Sequence, residues 1–380
     1  MTEPTGERFR LSLRELNGAL GDLGTLLPLT LATIALAGLA PTPVLLGFAV
    51  FYIGTAFYYR LPIPVQPMKT VGAVLLTTAA SPTVLATSGA MMGAILLVLG
   101  ATGLITRLSR LVPQSVLAGL QLGLGIALAF VSFNLMASAP ALGLVTCAVL
   151  VALAFVPGCP SVLVALGAAI VGAQVLGVPG GGIAAVSSGL VAVPELPGLK
   201  EVEQALSLYV LPQLSLTLSN AVVLTALIAG DYFGDKAAHV TPARLSISTG
   251  LANLILTPFG ALPMCHGSGG LAAHYRFGAR SGTAPLVMGL MLLAAALIPN
   301  GVVLLAAIPS AGLGALLLVA AYELAMTRRL IDSKPSCWPV IAATAAVTVI
   351  TDPFWGLVAG TVSELVRLAA VRLLRPKADM

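Results

Sequence analysis

A chain of 380 residues that is 58% hydrophobic and only 9% charged exposes more apolar surface than any soluble fold of that length can hide, since soluble domains are roughly a quarter charged. Its apolar runs are continuous and rich in Leu, Ala and Gly, which excludes the alternating pattern of a β-barrel and leaves an all-α integral membrane protein. The net charge of +5 is scattered over span ends and carries no nucleic-acid signal; there it reports membrane orientation.

Residues 1–15 are polar and lack an apolar run with a cleavage site, so a cytoplasmic N-terminal segment is expected rather than a signal peptide. About 14 spans follow. Seven are expected near 16–37, 42–60, 65–80, 88–106, 113–135, 139–156 and 160–178. A Pro- and Gly-rich stretch with three glutamates, 179–206, is expected to be an extracytoplasmic linker. Seven more are expected near 207–229, 241–259, 264–280, 283–298, 301–326, 337–351 and 353–372, with 373–380 as a cytoplasmic tail. The basic residues Arg60, Arg107, Arg110, Lys236, Arg244, Arg276, Arg280, Arg328, Arg329 and Lys334 all fall on the same side as the N-terminus in this scheme, which predicts a multi-pass cell-membrane protein with both termini cytoplasmic.

Offsets of 199, 198 and 196 residues separate Pro64 from Pro263, Asp22 from Asn220 and Pro113 from Pro309. They point to two repeats, 16–178 and 207–372. Seven spans per repeat is an odd number, so the second copy enters the membrane from the opposite face. In such inverted repeats the substrate site lies near the midplane, where broken helices meet.

The breaks are Pro64-Val65-Gln66-Pro67-Met68-Lys69 and Pro263-Met264-Cys265-His266-Gly267-Ser268-Gly269-Gly270. Proline disfavours helix in the residue before it but suits a first turn, so residues 61–66 are expected to be extended, with a half-helix starting at Pro67 in span 3 and a second one after Gly267 in span 10. Two positive helix ends inside a membrane make a site for a small oxyanion. Gln66, Lys69, His266 and Ser268, with the backbone N–H groups of Met68, Gly267 and Gly269, are the expected ligands; Asp22 and Asn220 are expected to line the pocket. A buried carboxylate or histidine in a membrane is a functional candidate, so Asp22 and His266 are also candidates for a coupling proton. Plainer roles stand beside these: Lys69 snorkelling to the interface, Asp22 at the interface, the glycines serving close helix packing, His266 as a packing residue. Gly119 to Gly123 and Gly356 to Gly360 have the spacing of helix contacts.

The four cysteines have no metal-ligand spacing, and no HExxH, Walker A, GxSxG or CxxC pattern occurs. No cofactor or metal is expected, and a membrane-embedded enzyme is disfavoured.

These motifs, with Asn17-Gly18-Ala19-Leu20-Gly21-Asp22-Leu23-Gly24-Thr25 and the continuation Tyr275-Arg276-Phe277-Gly278-Ala279-Arg280-Ser281-Gly282, resemble those of the molybdate transporter family related to the sulfate permeases (SulP-like). The resemblance extends over essentially the whole chain. It implies the 7+7 inverted-repeat fold shared with uracil permeases, with a core domain, 16–106 plus 207–298, and a gate domain, 113–178 plus 301–372. It also implies secondary active import of molybdate, with sulfate or tungstate as competitors. A sulfate or broad oxyanion permease and a nucleobase permease are the alternatives; a nucleobase site would call for a carboxylate in span 8, where Asn220 stands, and that same absence puts proton symport in question. Expected partners are the oxyanion, the lipid bilayer and a second copy of the chain in a homodimer, with no nucleic acid.

Overall fold

A computed structural model describes residues 9–78, 80–108, 113–154, 156, 159, 161–178, 196–297 and 307–374. It is built from helices and one two-residue strand pair. The stretch expected to be the first span is divided into α1 (Leu13–Leu20) and α2 (Leu23–Ala37), with Asp22 at the junction. Then come α3 (Pro41–Tyr59), β1 (Gln66–Pro67), α4 (Lys69–Thr77), α5 (Pro82–Thr102) and the short α6 (Ile105–Leu108). Three long apolar helices follow, α7 (Gln114–Met136), α8 (Pro140–Ala154) and α9 (Ser161–Leu176).

The second half begins with one continuous helical run of changing pitch. α10 (Leu199–Gln204), α11 (Leu211–Leu216) and α12 (Thr225–Phe233) are joined by π-helical stretches, Ala205–Val210 and Thr217–Leu224. After these lie α13 (Pro242–Leu256), β2 (Met264–Cys265), α14 (Ser268–Arg276), α15 (Thr283–Leu297), α16 (Ser310–Ala325), the short α17 (Arg328–Ile331), α18 (Trp338–Ile350) and α19 (Pro353–Leu374).

Among the described residues, five helical stretches are long and apolar enough to cross a membrane: Pro41–Tyr59, Pro82–Thr102, Gln114–Met136, Leu199–Ala237 and Pro353–Val371. Further apolar helices are shorter. One expected boundary moves. Helix begins at Leu199, inside the stretch read as a linker, because Leu199–Gln204 runs without a break into the π stretch. The rest of that linker, 179–195, the start of the twelfth span, 301–306, and the chain ends lie outside the described residues.

Helix pairing is regular. α3 packs on α15, and α5 packs on α13. α7 is gripped by α16 on one side and by α18 on another. The glycines of α7 and α19 permit this: a Cβ on Gly119 or Gly360 would run into Thr344, and one on Gly123 or Gly356 into Thr348. Two threonines of α18 are thus received by a pair of glycines on either side, the close approach that small residues allow within a membrane.

Candidate anion-binding site

The two sequence breaks meet. β1 pairs antiparallel with β2, Gln66 opposite Cys265 and Pro67 opposite Met264. The short ladder is clamped from α13 by Asn253, whose Oδ1 accepts from the Met264 N–H at 2.9 Å and whose Nδ2 donates to the Met264 carbonyl at 2.6 Å. α4 and α14 each start directly after their strand, capped by Met68 and Gly267 in extended conformation. The first-turn N–H groups of a helix have no partners within it, so each start is a cluster of donors at a positive dipole end.

Sequence reasoning started the first half-helix at Pro67, but it starts at Lys69. Pro67 is held in the strand pair, and the Met68 N–H donates to the Pro263 carbonyl at 2.9 Å. That corrects the expectation that this amide faces an anion, because the ladder uses it. One donor of α4 is also occupied: the Thr70 N–H donates to Gln213 Oε1 at 2.9 Å, and Gln213 Nε2 donates to Thr217 Oγ1.

Lys69 is half-buried, and among the described residues no hydrogen bond or ion pair holds its ammonium. Ser268, at the start of α14, is buried and its hydroxyl donates to Asn220 Oδ1 at 2.7 Å. Asn220 sits in the π-helical stretch Thr217–Leu224. Gly269 is exposed, and a Cβ added there would meet nothing within 4 Å. Around the crossing, Lys69 and Asn220 are half-buried and Gly269 is exposed.

Gln66, Asp22 and His266 lie behind it. Asp22 is fully buried. The Gln66 Nε2 donates to its Oδ1, and the Tyr52 hydroxyl donates to its Oδ2 at 2.5 Å. Gln66 Oε1 lies against Gly267, and a Cβ on Gly270 would fall 2.5 Å from Asp22 Oδ1 and 2.7 Å from Pro64 Cβ. Only glycine lets α14 come this close to the first break. Both ring nitrogens of His266 are engaged: Nδ1 donates to the Pro64 carbonyl at 2.8 Å, and Nε2 stands 2.8 Å from the Ser248 hydroxyl, itself 2.8 Å from the Tyr59 hydroxyl. The ring also packs on Phe51, with centroids 4.9 Å apart. His266 ties the second break to the first.

Sequence reasoning missed Gln213, Asn253, Tyr52 and His274. Gln213 and Asn253 were visible as lone amides within apolar runs, a costly placement unless they bond to backbone. The π-helical pitch around Asn220 had no sequence signal; such local departures recur at functional sites.

Two half-helices that cross in a bundle of apolar helices define a fold, and solved transporter structures share it. The transmembrane domain of a cyanobacterial bicarbonate transporter, BicA, superposes with a TM-score of 0.69 at 18% identity, covering 91% of this chain and 96% of that one. Murine Slc26a9, an anion transporter in its inward-facing state, gives 0.70 at 15% identity, covering 97% of this chain and 70% of that one. The family is shown by sequence. A model described as "Molybdate transporter of MFS superfamily" matches residues 14–128 and 205–324, and Molybdate transporter 1 of Arabidopsis thaliana is 31% identical over 93% of this chain and 87% of its own length. The chain belongs to the molybdate transporter family, and the resemblance seen in its motifs holds. The description of that family places it in the MFS superfamily, whereas the fold here is shared with the SLC26-type structures.

Proposed function

We propose that this protein imports a tetrahedral oxyanion, molybdate first, as a secondary active transporter. The observation that carries the reading is the meeting of the α4 and α14 N-termini beside a lysine whose ammonium has no partner among the described residues, in a chain of the molybdate transporter family. The anion is held by the Lys69 ammonium, the Ser268 hydroxyl once it turns from Asn220 Oδ1, the Nδ2 of Asn220 and the first-turn N–H groups of α14, those of Ser268, Gly269 and Gly270. Gln66, Asp22, Gly267 and His266 fix the shape of the crossing from behind.

Alternating access follows from a 7+7 inverted repeat in which a core, 16–106 plus 207–298, moves against a gate, 113–178 plus 301–372. Two features support this. The pairs α3–α15 and α5–α13 are exchanged when the two repeats are exchanged, and α4 and α2 of the core abut α7 and α16 of the gate. The distribution of lysine and arginine supports cytoplasmic termini. Sulfate remains the second substrate in line, because its charge and shape match molybdate.

Labelled molybdate uptake into proteoliposomes, competed with tungstate, sulfate and uracil, tests the reading. Saturable molybdate uptake inhibited by tungstate and unaffected by uracil is expected. Negligible molybdate uptake beside rapid sulfate uptake would overturn the substrate assignment.

A further inference from the structure

We infer that the coupling proton of this transporter is held between Asp22 and His274, on the far side of the helix crossing from the anion. The inference rests on the transport reading above and adds the ion that drives it.

His274 lies in the last turn of α14 and is fully buried. Its Nδ1 is 2.7 Å from the Gly18 carbonyl, which can only accept, so the ring hydrogen of the neutral imidazole sits on Nδ1. Nε2 is then a bare lone pair. Among the described residues it has no hydrogen-bond partner, and it faces Asp22 Oδ2 at 3.9 Å. Two acceptors thus confront each other in a place closed to water. A membrane-buried carboxylate without a cationic partner is costly, and breaking or completing such a pair is worth more than at any exposed site. One proton resolves the conflict: it joins the Nε2 lone pair, an N–H bond forms, and the ring becomes an imidazolium beside the carboxylate. On release that N–H bond breaks and the proton returns to water; no other bond changes. A cation in the last turn of α14 is also favoured by the helix dipole.

The other titratable groups facing this pair come from each neighbouring element. α3 contributes Tyr52, which donates to Asp22 Oδ2; α4 contributes Lys69; β2 contributes the buried thiol of Cys265. From α1, Glu15 is turned the other way, accepting from the Arg280 N–H at 2.9 Å, while Arg280 itself lies over the Tyr275 ring, on which α12 stacks Tyr232. None of them bonds to Nε2. In His266, by contrast, both ring nitrogens are engaged, and a proton on Nε2 would require the Ser248 hydroxyl to turn its own hydrogen elsewhere.

The link to the anion is a single amide. Gln66 donates to Asp22 Oδ1, abuts Gly267 with its Oε1, and belongs to the strand that precedes α4. Filling or emptying the proton site changes the charge behind this amide, and the anion in front of it is held by the opposite end of the helix that carries His274.

The full-length protein in liposomes, with labelled molybdate, separates the two claims by comparing accumulation under an inward proton gradient with exchange counterflow at equal pH. His274→Gln keeps a donor for the Gly18 carbonyl and loses the proton acceptor. It is expected to lose about tenfold or more of the gradient-driven accumulation, the scale of a coupling free energy, while exchange persists. A second measurement uses the wild-type chain alone: molybdate added to weakly buffered protein is expected to take up protons, read with a pH-sensitive dye. Gradient-driven accumulation by His274→Gln at the wild-type level would overturn the proton site. So would wild-type exchange that neither responds to a proton gradient nor takes up protons, and that result would leave the transport reading intact. Absence of any molybdate exchange by the wild type would overturn both.

Discussion

At the scale of single residues, the site is a contrast between three glycines. Gly267 and Gly270 are filled spaces: a Cβ on either runs into Gln66, and at Gly270 into Asp22 and Pro64 as well. Gly269 faces open space. Gly270→Ala is therefore expected to destabilise the protein by about 1–3 kcal/mol, the usual cost of overpacking a closed site, seen as a lower unfolding temperature in detergent. Gly269→Ala is expected to leave the unfolding temperature unchanged and to weaken molybdate binding, because its methyl enters the space the anion uses. Lys69→Gln removes a cation with no partner among the described residues, so stability is expected to hold. A charge-assisted contact to the anion is worth about 1.5–3 kcal/mol, so binding measured by titration is expected to weaken by about tenfold to a hundredfold. The residue types of this site were legible in the sequence: proline and glycine clusters, a lysine and a serine in an apolar run. Their facing was not. Gln66 and His266 read as ligands because they sit inside the motifs, and only the packing of α14 on the first break turns them inward. His274 gave no signal at all, since its partner, Asp22, lies 252 residues away in sequence.

At the scale of elements, the strand pair is held by side chains more than by its own length. Two residues a side give few ladder bonds, and Asn253 adds two from α13. Asn253→Leu leaves the buried N–H and C=O of Met264 without partners, at about 1–3 kcal/mol each. A loss of stability of several kelvin and of molybdate binding together is expected from thermal unfolding and titration. Loss of stability with unchanged binding would mean that the strand pair does not shape the site. The extended breaks, the half-helices after them and the threonine-receiving glycines of α7 and α19 were readable from proline position and small-residue spacing. The start at Lys69 was not, because proline's suitability for a first helical turn competed with a strand partner 197 residues away, Met264. The π-helical stretches around Ala205–Val210 and Thr217–Leu224 were not either, since hydropathy is blind to helical pitch.

At the scale of the whole molecule, composition alone gave a polytopic helical membrane protein, and the family and fold comparisons agree with it. The central claim is that both half-helix ends hold one oxyanion. Tungstate carries the same charge and shape as molybdate and a strong anomalous scatterer, so it can be located directly in crystals of the protein. The account predicts one tungsten peak between the N-termini of α4 and α14, within reach of the Lys69 ammonium and the Ser268 hydroxyl, and none in Lys69→Gln crystals grown at the same concentration. A tungsten peak elsewhere, for example in the apolar groove between α3 and α13 lined by Phe51, Thr55 and Ile255, or an unchanged peak in the Lys69 variant, would contradict it.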